Sequence, residues 1–327
     1  MSGITLVTGG AGFVGASLVR HLRERSERVR SFDLAPTTHE DDIQGSILDA
    51  GAIAQAMAGV SSVFHLAGYA QLWSRDNGVF DRVNAQGTEL VVHAARTAAV
   101  NAFVHCSSLT TLVGKTTPIG TSTVDETLRH EPGGMLGAYP QSKLRAERIV
   151  EAAAADGFNA VIALPTEPLG AGDDSLTPPT QMILDFANGK TPAYIDCILN
   201  FVPVDSLAVG LIATRDKGHK GERYLLGGEN IPMRQLLTMI EAATGKPSPK
   251  TRMPYWVAYL AGAVDTKLIS AVTGKPPKAP LTGVKLAGRQ VTFSSEKAAS
   301  ELGWRATAVE PALLSMLDWA RERGYLK

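Results

Sequence analysis

Short apolar runs alternate with longer stretches in which apolar residues recur every three or four positions, and this alternation dominates the first half of the chain. The runs Ile4–Thr8, Arg28–Asp33, Ser61–Leu66, Ala102–Ser107 and Asn159–Pro165 are rich in Val, Ile, Leu and Phe, as strands buried on both faces require. Helix-length segments separate them. Ala16–Arg25 is one, and Val79–Ala98 is the clearest, because Val83, Leu90, Val91, Ala94 and Ala98 share a face. Strands joined by crossover helices predict an α/β fold with a Rossmann-type doubly wound parallel sheet over residues 1–165. Beyond Pro165 the alternation weakens, and Pro and Gly cluster at Pro165–Pro179 and Gly274–Gly283. Residues 166–327 therefore read mainly as a smaller region that shapes a substrate pocket. A strand at Phe201–Val204, with a helix from Asp205, is expected to bring 200–215 back to the main sheet.

Composition narrows the partners. A chain of 327 residues with 44% apolar content buries a substantial core unaided. Its 32 basic residues balance 32 acidic ones, so no net field draws a nucleic acid or an anionic membrane. Cys106 and Cys197 form no CxxC spacing and are expected to be buried free thiols. Met1 leads directly into Ile4–Val7 without a charged leader, which predicts a cytoplasmic protein. The apolar run Trp256–Val264 is cut off by Asp265 and Lys267, short of the roughly 20 residues that cross a bilayer, so no membrane span is expected. The seven histidines show no metal-ligand spacing. His65 and His105 read as satisfied core or strand-end residues, and no metal is expected.

Gly9-Gly10-Ala11-Gly12-Phe13-Val14-Gly15 follows the first strand and opens a helix, the context that makes a glycine cluster a dinucleotide fingerprint. Without Cβ atoms the turn lets backbone approach a pyrophosphate, which then sits on the helix N-terminus. Asp33 closes the second strand about 20 residues further on, where a carboxylate accepts from ribose hydroxyls and repels a 2′-phosphate. No Arg or Lys lies between Asp33 and Asp42. These features favour NAD over NADP.

Tyr139 and Lys143 lie four residues apart at the start of a helical stretch, which puts phenol and ammonium on one face. A free phenol with a pKa of about 10 is a poor catalyst at neutral pH, and a nearby cation is expected to draw it down. Ser107 and Ser108 end the Ala102–Ser107 strand, where this fold presents ligands.

Taken together, these residues resemble the extended short-chain dehydrogenase/reductases, the NAD-dependent epimerase/dehydratase superfamily, over nearly the whole chain. Gly9–Gly15, His65-Leu66-Ala67-Gly68, Asn84-Ala85-Gln86-Gly87-Thr88 and the Tyr139/Lys143 pair match its motifs in order. Leu72–Asp76, Thr191–Tyr194, Leu225–Asn230 and Phe293–Lys297 are similar to the dihydroflavonol-reductase-like and 3-beta-hydroxysteroid-dehydrogenase-like branch, including hopanoid-associated sugar epimerases. The resemblance implies that Ser108, Tyr139 and Lys143 are catalytic, with Ser108 holding the substrate oxygen and Lys143 also meeting the nicotinamide ribose. It implies that Gly9, Gly12, Phe13, Val14, Gly15, Asp33, Leu66, Ala67, Tyr139, Lys143 and Pro165 surround the cofactor, and it suggests a homodimer. Three positions depart from the pattern. Ser46 replaces an adenine-contacting Asp, Leu199 replaces the diphosphate-binding Arg of nucleotide-sugar epimerases, and Pro203 replaces a common His.

Tyr69, Leu72 and Trp73 follow the Ser61–Leu66 strand, where a loop can cover the nicotinamide, and Tyr69 and Trp73 are candidate substrate contacts with Ser108 and Tyr139. The segment 255–272 either lines a greasy pocket or is an ordinary helix packed on the core. Arg75, Lys275, Lys278 and Arg289 read as solvated charges. The leading expectation is hydride transfer between NAD and a hydrophobic, small-molecule secondary alcohol or ketone of sterol, aryl or acyl type. The alternatives are an NAD-retaining nucleotide-sugar epimerase or dehydratase and a non-catalytic NAD sensor.

Overall fold

The computed structural model describes residues 3–37, 39–120 and 122–327. Seven strands form a wholly parallel central sheet: β1 (Ile4–Thr8), β2 (Val29–Asp33), β3 (Ile43–Gln44), β4 (Val60–His65), β5 (Ala102–Cys106), β6 (Ala160–Pro165) and β7 (Arg223–Leu226). Their spatial order is β7-β6-β5-β4-β1-β2-β3. The five strands expected from apolar runs are present with ends shifted by at most one residue. β3 is too short to carry a period, and β7 is disguised by a buried arginine at its first position.

Successive strand residues face opposite sides of the sheet, so each strand feeds two cores. Leu6, Val63, Phe103 and Ile162 pack with Val91, Ala95 and Val150 on one side. Val7, Phe64, Val104 and Val161 pack with Leu18, Leu22 and Leu207 on the other. A third core, built around Leu169, Phe201, Ile183 and Leu313, belongs to the smaller region.

Ile198–Pro203 does not join the central sheet. It pairs with Glu167–Leu169 in parallel and with Glu229–Pro232 in antiparallel, making a separate three-stranded sheet. The place beside β6 is taken by β7, where Leu226 lies opposite Pro165. The following helix, Val204–Lys217, does fold back, burying Leu207, Ala208 and Leu211 against the second core.

β7 is tied to the helix Ala138–Ala155 by charge. The Arg223 guanidinium lies 2.9 Å from the Glu147 carboxylate, with the two side chains only 2% and 0% exposed. Arg223 also donates to the carbonyls of Glu126 and Leu128, each at 3.0 Å, and the Ser107 hydroxyl donates to Glu147. A buried pair of this kind costs most when half of it is removed. Arg223→Met is expected to lose about 3–5 kcal/mol in urea unfolding, and Arg223→Met with Glu147→Leu to recover most of that. Equal losses in the single and double variants would show that charge is not what holds this contact.

Candidate active site

The chain runs outward from β1 to β2 and β3, then returns to β4 on the other side of β1. The helices that follow β1 and β4 pack on opposite faces of the sheet at this reversal and leave a crevice at the carboxyl ends of the strands. Two glycines set its floor. Gly9 has φ +73°, and a Cβ there would sit 2.7 Å from the Ala67 backbone nitrogen. A Cβ on Gly15 would sit 1.9 Å from the Gly9 carbonyl oxygen, so the first helix can start this close to the turn only without a side chain.

That helix spans Phe13–Glu24, three residues earlier than its apolar period predicts, and begins at Gly12 with no side-chain cap and no acid in its first turn. Its leading N–H groups, from Phe13 to Gly15, are therefore left for a ligand, and this donor set fits a pyrophosphate. The Asp33 carboxylate is held at the end of β2, accepting from the Ala11 N–H at 3.0 Å and the Ala35 N–H at 3.1 Å. A cleft of about 700 Å³ opens here, lined among others by Gly10, Ala11, Arg20, Arg23, Asp33 and Asp42. Both arginines are engaged: Arg23 with Asp42 at 2.9 Å, and Arg20 with Glu24 at 3.2 Å and with Asp205.

Tyr139 and Lys143 share a face of the helix Ala138–Ala155. Lys143 is buried, and its ammonium donates to the Cys106 carbonyl at 2.7 Å, at the end of β5. The half-buried Tyr139 phenol is pushed up to about 12 by burial, opposed by a hydrogen bond from the Ser108 side chain. The expected acidification by Lys143 is absent, because the ammonium is turned to Cys106 and desolvation dominates the phenol. Burial also lowers the Lys143 pKa, against the opposing pull of Cys106 and Glu147. Ser108 sits beside the phenol and also caps the turn Leu109–Leu112, accepting from the Thr110 N–H at 3.2 Å.

The loop after β4 is fastened to this centre by a directional chain. The Thr88 hydroxyl donates to the Asn84 carbonyl at 2.6 Å, so it accepts from His65 Nε2–H at 2.9 Å. His65 Nδ1 is then the acceptor of the Thr8 hydroxyl at 2.7 Å, and Thr8 Oγ1 accepts from the Ala67 N–H at 3.2 Å. The chain needs a neutral imidazole, and burial, with help from Lys143, lowers His65 to about 3. Asn84 closes the circuit, accepting from the Tyr69 N–H at 2.7 Å and donating to Ser142 Oγ at 2.9 Å. Aromatic contacts follow the same line, with the Phe80 ring 5.2 Å from Tyr69 and 6.2 Å from Tyr139. Leu66, Ala67 and Trp73 are half-buried along this loop, and Pro165 is buried at the end of β6.

Comparison with known proteins agrees with this geometry. A model described as the NAD dependent epimerase/dehydratase family matches residues 5–227. The chain belongs to this family. It is 32% identical over 338 residues to a putative dihydroflavonol 4-reductase of Synechocystis sp., covering 100% of this chain and 97% of that protein. It is also 32% identical over 335 residues to sterol demethylase protein B of Methylococcus capsulatus, covering 98% and 99%. The crystal structure of gox2253 matches with a TM-score of 0.84 at 32% identity, covering 99% of both chains. The protein is an enzyme of the extended short-chain dehydrogenase/reductase type, in the reductase-like branch that its motifs indicated.

Several features of this family member escape its sequence pattern. Asp81–Gln86, inside the Val79–Ala98 stretch, is a π-helical turn that carries Asn84 toward Tyr69 and Ser142. His105 is fully buried with neither ring nitrogen partnered, unlike the satisfied His65. Arg289 is not a solvated charge: it donates to the carbonyls of Thr117 at 2.7 Å and Lys115 at 3.0 Å.

Glu167, two residues beyond Pro165, is the largest omission. Burial pushes its carboxyl up to about 8, and Oε2 has no hydrogen-bond partner. A carboxyl raised on folding stabilises the native state below its unfolded pKa and loses that contribution as pH rises through the folded value. Native stability relative to Glu167→Gln is therefore expected to fall between about pH 4.5 and pH 8. Thermal melts of both proteins across that range would check it, and parallel curves would overturn it.

Proposed function

We propose that this enzyme transfers a hydride between NAD and a secondary alcohol or ketone on a hydrophobic substrate of sterol, aryl or acyl type. The observation that carries this reading is the juxtaposition of the Tyr139 phenol, the Ser108 hydroxyl and the buried Lys143 ammonium beside an uncapped helix N-terminus. The N–H groups of Phe13, Val14 and Gly15 would hold the pyrophosphate, Asp33 the adenosine ribose, Leu66, Ala67 and Pro165 the nicotinamide side, and Lys143 its ribose. Bound NAD supplies or accepts the hydride.

The remaining chemistry belongs to the protein. Ser108 orients the substrate oxygen and Tyr139 exchanges its proton. Burial keeps the phenol protonated at neutral pH, which suits it to donate to an oxygen that becomes an alkoxide during ketone reduction. Alcohol oxidation needs the phenolate, so it calls for higher pH and for Lys143 to turn from Cys106 toward the phenol.

Preference for NAD rests on Asp33 and on Arg20 and Arg23, which carboxylates already occupy. Leu199, half-buried in the Ile198–Pro203 strand, offers no cation to a sugar diphosphate, which favours a lipophilic carbinol over a nucleotide sugar. The names of the aligned dihydroflavonol reductase and sterol demethylase proteins point the same way.

The deciding experiment monitors reduced nicotinamide absorbance while the purified protein is offered sterol, aryl and acyl ketones alongside nucleotide sugars, with NADH and NADPH. Net oxidation with a lipophilic ketone is expected. Conversion of a nucleotide sugar without net cofactor change would replace this reading with the epimerase. Tyr139→Phe is expected to lower turnover about 10²–10⁴-fold with unchanged NAD affinity, and an active variant would remove the phenol from the mechanism. In wild type, alcohol oxidation should rise between about pH 7 and pH 10 while ketone reduction stays level over neutral pH, because burial raises the phenol pKa. Asp33→Ala should raise the NADPH to NADH ratio of kcat/KM; an unchanged ratio would assign cofactor choice elsewhere.

A further inference from the structure

Among the described residues no helix is long and apolar enough to cross a membrane. One helical run nevertheless turns its apolar face outward. Residues 255–273 are continuously helical, formed by Tyr255–Val264, a π-helical turn at Asp265–Ile269 and Ser270–Thr273. Trp256, Leu260, Val264, Leu268 and Val272 are 66%, 55%, 48%, 61% and 86% exposed. They are spaced every four residues. A four-residue step overshoots an α-helical turn by about 40°, so such a stripe drifts around a plain helix. The wider π-helical turn at Asp265–Ile269 offsets part of that drift midway along the run. Tyr255, Tyr259 and Ile269 flank the stripe and are also exposed.

The opposite side is made of small residues. Ala258 and Gly262 are buried, and a Cβ on Gly262 would lie 3.2 Å from the Ala279 carbonyl oxygen, so the run packs closely on the helix Leu281–Ala287. That helix borders the active site: Thr282 lies against Gly137, two residues before Tyr139, and Leu72 of the loop after β4 lies against Gly283. The run that carries the apolar stripe is thus one helix removed from the site.

Charge identifies what covers it. Residues 246–289 contain eight Lys and Arg against the single acid Asp265, within a chain that is neutral as a whole. Arg252 is paired with Asp196 and Arg289 is bonded internally, but Lys250, Lys267, Lys275 and Lys278 are exposed around the stripe. A second copy docked here about a two-fold axis would bring these lysines together, whereas anionic headgroups neutralise them.

We propose that residues 255–273 seat the protein on an anionic bilayer surface, with the stripe from Trp256 to Val272 in the acyl boundary and the lysines among the headgroups. The helix lies in the plane of the surface rather than across it, one helix removed from the site. Docking does not depend on which carbinol is turned over.

The test is co-sedimentation of the full chain with phosphatidylcholine vesicles, with or without phosphatidylglycerol, at low and high salt. Binding to the anionic vesicles, weakened by salt, is expected. Trp256→Ser with Leu260→Ser and Leu268→Ser should cut the bound fraction at least tenfold while NAD affinity and turnover of a water-soluble ketone are kept. Lys267→Glu with Lys275→Glu and Lys278→Glu, which leaves the stripe intact, should abolish the preference for anionic vesicles. Absence of binding at low salt would overturn the proposal. So would a wild-type dimer in sedimentation equilibrium that the serine variant converts to monomer, since the stripe would then be a subunit interface.

Discussion

The close approach of Gly9, Gly15 and Ala67 at the point where the sheet reverses direction is the constraint from which the rest of the molecule follows. The first helix can begin immediately after β1 only because Gly15 has no Cβ to meet the Gly9 carbonyl, and the loop after β4 can lie against the same turn only because Gly9 has none either. Once the three are in contact, uncapped N–H groups, the end of β2 with Asp33 and the loop holding Tyr69 all border one crevice. Any side chain at Gly9 or Gly15 would push the helix away from β4 and open the crevice before a ligand arrived.

The second organising element is a buried positive charge kept in place without a buried negative partner in direct contact. The Lys143 ammonium leans on a carbonyl, and its field helps hold His65 and His105 neutral. Neutrality at His65 is what lets one imidazole both donate and accept, linking Thr8 under the glycine turn to Thr88 and Asn84 beside the helix Ala138–Ala155. The Glu147–Arg223 pair lies one helical turn further along from Lys143 and anchors that helix to the edge strand. The glycine turn and the helix that carries Tyr139 and Lys143 are therefore one hydrogen-bonded unit rather than two neighbouring features.

Much of this was legible from residue order. Buried parallel strands need unbroken apolar runs, and the five runs read in this way are strands whose ends shift by at most one residue. The glycine turn and the Tyr139/Lys143 spacing were equally readable, because each is a local geometric demand on particular residue types. What escaped depends on long-range contact. β7 joins the sheet with an arginine in its first position because Glu147, 76 positions earlier, neutralises it. Phe201–Val204 carries the composition of a central strand, but β7 already fills the edge beside β6. The orientation of Lys143 and the height of the Tyr139 pKa depend on desolvation, which residue spacing does not encode.

Averages over the chain hid the surface as well. Equal numbers of acids and bases argue against an anionic partner only if the charges are mixed, and here the residues from 246 to 289 carry eight bases and one acid. The segment 255–272 is not packed by its large side chains: Ala258 and Gly262 face inward while Trp256, Leu260, Leu268 and Val272 face out. Leu281–Ala287 packs on the Ala258–Gly262 side, and among the described residues the large side chains from Trp256 to Val272 stay exposed. The same packing that leaves the stripe open also joins it, through Leu281–Ala287, to Gly137 at the start of the helix that carries Tyr139 and to Leu72 of the loop after β4, so the exposed face and the crevice are linked by a single intervening helix.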